Sequence, residues 1–277
     1  MKRNYCLVFV SLFALTGCAS KISVADAKTR ANEIRQHEIT DEEVKELRIA
    51  TTSVMETKAK TSYLTLDMKS SQEMIYEVSA EKSFIHTYDK SESSMSEANG
   101  EEEFWCYVKD SVLYTVTRVV SGENETKEYS KIEAAEVAAN EFKNSLEDMV
   151  ANLKDGIKLA SNQSLEMVDT LGENGETEFE IYTGVKAKGT LTPYSSGEGS
   201  LILKGSLSID NFQGIEGKAK SNVLLSWDKS FIKEATVKFD WSGKKDDETA
   251  SLSVLSSQKV EGKAKVSYPD LSKYTAK

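Results

Sequence analysis

The side chains that could carry out acid–base or nucleophilic chemistry are few and lie far apart in the sequence. Neither of the two histidines, His37 and His86, stands at triad or metal-ligand spacing from a Cys, Asp or Glu. Cys106 lies in an apolar, strand-like run, where a buried small side chain is a more common role than a reactive thiol. No nucleophile elbow, zinc-protease helix or phosphate-binding glycine loop occurs in a fitting context. We therefore expect no catalytic residue, no cofactor and no bound metal.

Acidic residues are numerous, but their grouping indicates solvated charge rather than a built site. Runs such as 101–103 and 246–248 lie in polar stretches with the composition of turns. Calcium needs oxygens that converge from several positions, and a catalytic pair cannot be singled out among 45 acids. Weak calcium binding and a hydrolase with an unrecognised site are therefore the least favoured alternatives.

The N-terminus has the layout of an export signal. Lys2 and Arg3 precede an apolar run from Tyr5 to Leu15, and small residues follow it. A transmembrane helix needs about 20 apolar residues, so this run is too short to span a bilayer and is a signal rather than an anchor. The sequence thus predicts a signal peptide over residues 1–17 and an extracytoplasmic mature chain.

The end of this signal, Leu15-Thr16-Gly17-Cys18, specifies a chemical modification. It resembles the lipobox of bacterial lipoproteins, which implies a diacylglycerol thioether on Cys18, cleavage just before Cys18, and acyl chains such as palmitate. Two acyl chains anchor a protein stably where one is marginal. We therefore expect a lipid-anchored protein of the cell membrane or outer membrane. The alternatives are a secreted protein with an ordinary cleavage site and an incidental cysteine, or a buried N-terminal helix.

The charge and cysteine content exclude some partners. Removal of residues 1–17 leaves 33 basic and 45 acidic residues, a net charge of −12. Nucleic acid binding requires clustered Lys and Arg, so we expect no nucleic acid partner. With Cys6 removed and Cys18 acylated, Cys106 has no partner for a disulfide, and the fold must rely on its core alone.

The pattern of apolar residues predicts a helical N-terminal segment followed mainly by strands. We expect a helix over about 23–37 and a short helix over 41–48 that begins at a capping box from Thr40 to Glu43. Alternating runs predict two antiparallel meanders, one before and one after a long helix. Since no Pro-rich linker interrupts the chain, residues 51–272 form one domain after a lipidated tether with N-terminal helices over 18–50.

The segment between the two meanders has helical periodicity. Apolar residues recur at steps of three and four from Lys131 to Lys158, which predicts a long amphipathic helix. Four residues of its stripe are candidates to line a ligand site if the surrounding sheet encloses a cavity. They are Phe142, Leu146, Met149 and Leu153.

These elements predict an α+β fold. The stripe is buried most simply if a strongly twisted sheet curls around the helix. We therefore expect an open half-barrel, a strongly curved antiparallel β-sheet wrapped around one long amphipathic helix, with an N-terminal helical segment. Together with the lipobox and the ending Tyr268-Pro269-Asp270-Leu271, this layout resembles the lipoprotein-carrier superfamily of LolA/LolB-like and LppX/LprG-like proteins, loosely over residues 23–272.

The resemblance implies a non-enzymatic lipoprotein that binds or carries lipid or another apolar ligand between sheet and helix. The alternative is a structural or protein-interaction lipoprotein of the cell envelope without a small-molecule ligand, whose acidic outer face contacts envelope polymers or other proteins. A solute-binding subunit of a transporter is disfavoured, because such proteins alternate strands and helices in two α/β lobes.

Overall fold

The computed structural model describes residues 19–60, 64–94, 99–133, 136–182, 185–212, 215–229, 231–245 and 248–277. The expected signal peptide, Cys18 and the acidic pair at 246–247 lie outside the described residues, so the predictions made for them stay predictions.

The described part of the chain has three α-helices and fourteen strands. The helices are α1 (Val24–Gln36), α2 (Asp41–Val44) and α3 (Glu136–Asp169), and a 3-10 turn spans Leu271–Lys273. The strands are β1 (Ser20–Lys21), β2 (Arg48–Lys60), β3 (Thr65–Ser79), β4 (Phe84–Ser93), β5 (Gly100–Lys109), β6 (Val112–Ser121), β7 (Asn124–Glu133), β8 (Glu176–Tyr182), β9 (Val185–Ser195), β10 (Ser200–Phe212), β11 (Ile215–Asp228), β12 (Phe231–Lys245), β13 (Glu248–Glu261) and β14 (Thr275–Ala276).

These fourteen strands belong to one sheet. Its order is β1-β9-β10-β11-β12-β13-β2-β3-β4-β5-β6-β7-β14, and β8 pairs with β9. The pairing is antiparallel except between β7 and β14, which is parallel. Strand β13 pairs with β2 along its length, from Thr249 opposite Lys60 to Glu261 opposite Arg48. The meanders before and after α3 are therefore halves of a single sheet.

The two faces of the sheet are told apart by the alternation of side chains along each strand. Val78 lies opposite Ile85, and Val78 and Val260 share a buried cluster with residues of α3. We call this side the helical face. Glu77 directly precedes Val78 on β3, and Arg48 pairs with Glu77 across β2 and β3. Both side chains therefore lie on the opposite face.

The helical face carries two of the three hydrophobic clusters. In one, α1 and the C-terminal part of α3 cover strands β9 to β12, with Trp227 and Leu165 fully buried. In the other, α2 and the middle of α3 cover β2, β3 and β13. Helices α1 and α3 are also tied together, because the Lys158 Nζ donates to the main-chain carbonyls of Ile34 and Arg35 at 3.2 and 2.9 Å. One core thus lies between the helices and the sheet.

The third cluster lies on the opposite face and contains no residue of α3. Phe84, Trp105, Tyr107 and Val116 are its buried members. They are covered by residues 263–277, which we call the C-terminal strap. The strap begins where the Ala264 amide donates to the Glu46 carbonyl, and it ends as β14 beside β7. The sheet is therefore buried on both faces in this region.

The expected α+β class, a half-barrel wrapped around one long helix, is wrong. The structure is mainly β: strands make up more than half of the described chain, and they form one 14-stranded sheet. The physical reason is the third cluster. A sheet that only wraps a helix buries one face, whereas here the apolar side chains of β4 to β6 need the C-terminal strap to cover the other face.

Several expected boundaries are corrected as well. The long helix runs over 136–169 rather than 131–158, since residues 131–133 belong to the polar edge strand β7, which the apolar pattern did not reveal. The second short helix ends at Val44, not at 48. The first helix and the capping box are confirmed: the Glu43 amide donates to Thr40 Oγ1 at 3.3 Å, and the Thr40 amide donates to the Glu43 carboxylate at 2.8 Å.

Candidate functional site

The four candidate ligand-lining residues of α3 lie against the helical face. Leu146 is 1% exposed and packs in the cluster that contains Val78 and Val260. Phe142, Met149 and Leu153 are partly buried against the same cluster. All four therefore contact the protein's own core, as an ordinary amphipathic helix does. Their role in binding a ligand stays a prediction.

Cys106 lies on β5 and points to the helical face, opposite Ile85. It is partly buried and is a free thiol. Burial raises the pKa of the Cys106 thiol, and a hydrogen bond with Thr115 only partly opposes that rise. A raised pKa keeps the thiolate scarce at neutral pH, so the geometry favours the structural interpretation of this cysteine over a reactive one.

The strongest polar arrangement among the described residues is centred on His86, on the face opposite the helices. Its Nδ1 lies 3.2 Å from a carboxylate oxygen of Glu77 on β3, and its Nε2 lies 3.0 Å from one of Glu103 on β5. The imidazole also stacks on the Trp105 indole, with ring centroids 4.8 Å apart and planes 2° from parallel. The His86 and Glu77 side chains are only 15% and 7% exposed.

An arginine on each side extends this centre across the sheet. Arg48 on β2 lies 3.2 Å from Glu77 and 3.2 Å from Glu261 on β13. On the other side, the guanidinium of Arg118 on β6 contacts three carboxylates. They are Glu101 at 2.9 Å, Glu103 at 3.8 Å and Glu125 of β7 at 2.7 Å. We call these eight side chains the charged row: Glu261, Arg48, Glu77, His86, Glu103, Glu101, Arg118 and Glu125. They connect seven neighbouring strands, from β13 through β2, β3, β4, β5 and β6 to β7.

The C-terminal strap covers the middle of the charged row. Tyr274 packs edge-on against Trp105, with ring centroids 6.3 Å apart. Tyr268 packs against Phe84 and Tyr107 at centroid distances of 5.5 and 4.8 Å. The His86 imidazole stacks on the same Trp105 indole. By covering this indole, the strap also limits the access of water to His86.

The geometry indicates the charge state of His86. A carboxylate can only accept, so an imidazole with a carboxylate at each nitrogen satisfies both contacts only when both nitrogens carry a proton. Burial by itself lowers the pKa of His86, but the hydrogen bonds to Glu103 and Glu77 outweigh burial and leave that pKa above the usual 6.5. The contacts of His86 with Glu77 and Glu103 therefore link β3, β4 and β5 in a pH-dependent way.

Sequence reasoning missed the charged row. The partners of His86 lie on the neighbouring strands β3 and β5, 9 and 17 residues away in the sequence, and the register of the two hairpins aligns them. The only local signal is a charged residue at every second position, as in Glu101 and Glu103, which also describes a solvated strand.

A second feature is strand β1, which begins two residues after Cys18 in the sequence. It pairs with the last residues of β9, Ser20 opposite Ser195 and Lys21 opposite Tyr194. The Ile22 amide then donates to the Pro193 carbonyl at 3.1 Å. The chain is therefore ordered against the sheet almost from the expected lipidation site.

Two further searches concern metals and membrane spans. Within the described ranges, no group of three or more His, Cys, Asp or Glu residues is placed to hold a metal ion. No helix in the part of the chain that the structure describes is long and apolar enough to cross a bilayer.

Comparison with known proteins gives no family. No family model matches the chain, and no curated protein matches it. Among solved structures, Ail from Yersinia pestis, solved with the heparin analogue sucrose octasulfate, aligns at 8% identity, 78% of this chain, 99% of its own and a TM-score of 0.19. The translocator domain of the autotransporter NalP from Neisseria meningitidis aligns at 8% identity, 91% of this chain, 97% of its own and a TM-score of 0.18. TM-scores this low carry no argument about fold or function.

The expected likeness to LolA-like carriers depended on a half-barrel around one helix, and the structure corrects it. The fold is a mainly β, 14-stranded sheet with covered regions on both faces. Lipid binding, which that likeness implied, is unsupported for the same reason.

Proposed function

We propose that this chain is a non-enzymatic, extracytoplasmic protein, anchored in the cell membrane or outer membrane through acyl chains on Cys18, with a structural or protein-interaction role in the cell envelope. The observation that supports the anchor is the lipobox-like run from Leu15 to Cys18, which ends where the ordered domain begins.

The structural or interaction role is favoured over ligand transport because the protein's own side chains cover both faces of the sheet. Helices α1, α2 and α3 occupy the helical face with their own apolar side chains, as Leu146 at 1% exposure illustrates. On the opposite face the C-terminal strap covers the aromatic cluster. The acidic outer surface, part of a mature chain of net charge −12, is then the surface available to envelope partners.

The anchor is tested by comparing the full-length protein with its Cys18→Ser variant in a bacterial host. We expect the wild-type chain to incorporate labelled palmitate, to enter the detergent phase, and to have an N-terminal peptide whose mass corresponds to acylated Cys18. The variant should remain in the aqueous phase. A wild-type chain that is cleaved elsewhere and lacks acyl chains would overturn the proposal.

The absence of a carried ligand is tested by native mass spectrometry on residues 19–277, purified without detergent. We expect the mass of the polypeptide alone, because α3 packs directly on the sheet. Stoichiometric lipid that survives purification would contradict the structural role and favour a carrier.

An interaction role is tested in intact cells that express the lipidated protein. A carbodiimide couples exposed carboxylates to amines of contacting molecules, and we expect discrete adducts of higher mass. Recovery of the uncrosslinked monomer alone, under conditions that crosslink a known envelope complex, would argue against this role.

A further inference from the structure

The distance between the anchor and the folded domain is limited by the chain. Only Ala19 separates Cys18 from Ser20, the first residue of β1. Two extended residues span at most about 7 Å. A domain tethered this closely cannot move freely above the bilayer, so its surface next to Ser20 must lie near the headgroups whenever Cys18 is acylated.

That surface consists of residues 19–30, 195–200, 226–229 and 231–233, which we call the anchor end. Hydrogen bonds hold the segments together. The Arg30 guanidinium donates to the Gly197 carbonyl at 2.9 Å, and the Lys229 amide donates to the Gly199 carbonyl at 2.8 Å. Gly199 has φ +70, a conformation that glycine adopts without strain, which allows this close approach of two turns. The anchor end is therefore a defined surface rather than a loose tether.

The charge of the anchor end differs from that of the rest of the chain. Its basic residues are Lys21, Lys28, Arg30, Lys229 and Lys233, and its acidic residues are Asp26, Glu198 and Asp228. It thus has a net charge of +2, whereas the whole chain after Cys18 has −12. Anionic headgroups attract Lys and Arg near the surface by about 1 kcal/mol each and repel acidic regions. The positive charge of the anchor end and the short tether therefore both predict that the anchor end faces the headgroups.

From these observations we propose that the anchor end rests on a phospholipid headgroup surface, with Lys21 and Lys229 toward the lipid phosphates and the strands rising away from the membrane. Strands β9 and β11 end at this surface, while β10 and β12 begin there. The turn between β6 and β7 lies at the opposite ends of the strands, about 30 Å away along the strand direction for strands of this length. This inference rests on the proposed acylation of Cys18.

The test uses the full-length lipidated protein in a Cys106→Ser background, reconstituted into vesicles of phosphatidylcholine and phosphatidylglycerol. A fluorescent label is attached through Glu198→Cys in the β9–β10 turn or, as matched control, through Glu123→Cys in the β6–β7 turn. Both glutamates are exposed turn residues, at opposite ends of the sheet. Quenching by lipids with brominated acyl chains close to the headgroup reports contact with the bilayer.

We expect the label at 198 to be quenched several-fold more strongly than the label at 123. Equal quenching, or stronger quenching at 123, with protein whose acylated mass has been verified would overturn the orientation while leaving the anchor intact. Protein that lacks acyl chains and does not bind the vesicles would overturn both proposals, so the two failures are distinguishable.

The role of charge is tested in the same system. The double variant Lys21→Glu/Lys229→Glu should lower quenching at 198 on anionic vesicles but change it little on pure phosphatidylcholine. The exposed pair Lys143→Glu/Lys273→Glu, outside the anchor end, serves as the control. An equal effect of both pairs would show that total charge, rather than this surface, governs contact.

Discussion

Raising the pH should weaken the charged row at His86. The imidazole has Glu77 and Glu103 at its two nitrogens, with Arg48, Arg118 and the C-terminal strap around them. Because the pKa of His86 is raised by these carboxylates, its stabilising contribution is fully present below about pH 6.5 and is lost as pH rises through the folded-state pKa. The protein should therefore be more stable in mildly acidic solution than in alkaline solution.

The size of the effect follows from the contacts that deprotonation breaks. A hydrogen bond to a charged group contributes about 1.5–3 kcal/mol, and the neutral ring can keep only one of its two. The His86 side chain is 15% exposed, which leaves some access to water and places the loss at the lower end, about 1.5–2 kcal/mol. A domain of this size loses roughly 2–4 °C in Tm per kcal/mol, so Tm should fall by about 3–8 °C.

The assay is urea denaturation of the mature Cys18→Ser protein at pH 6 and at pH 8.5, followed by tryptophan fluorescence. His86→Gln cannot titrate, so the pH-dependent part of the free energy of unfolding should largely disappear in it. His37→Gln is the matched control, because His37 has one carboxylate partner and is 43% exposed. Wild type and His86→Gln with the same pH dependence would refute the reasoning.

Three further predictions concern packing and the thiol. Leu146→Ala should lower the free energy of unfolding by about 2–5 kcal/mol, because Leu146 is buried. Leu159→Ala on the same helix should change it little, because Leu159 is 59% exposed. Equal values for the two variants in a denaturant titration would contradict the burial pattern. Gly205→Ala should destabilise the protein, because the added methyl group would overlap main-chain atoms of β9. Gly156→Ala in α3 should stabilise it by up to about 1 kcal/mol, because a methyl group there has no atom within 4 Å and alanine favours the helix. Thermal melts of the two variants test both predictions. Cys106 should react slowly with maleimide until denaturant is added, and rapid labelling of the native protein would disprove its burial.

The local features of the fold were predictable because they depend on neighbouring residues. The helix at 24–36, the capping box from Thr40 to Glu43 and most of the long helix follow from propensity, capping and periodicity. Strand β7 was missed because its sequence is mostly polar and lacks apolar alternation.

The sequence by itself determined what a contiguous run of residues encodes: the helical stripe around Leu146 and the acidic net charge of the chain. It also predicts the export signal that ends at Cys18. Only the tertiary structure decided which face of the sheet each side chain occupies. It also decided that the C-terminal strap covers Trp105, and that His86 lies between Glu77 and Glu103. The physical reason is that the register of paired strands aligns these residues, and a shift of one residue would reverse every face.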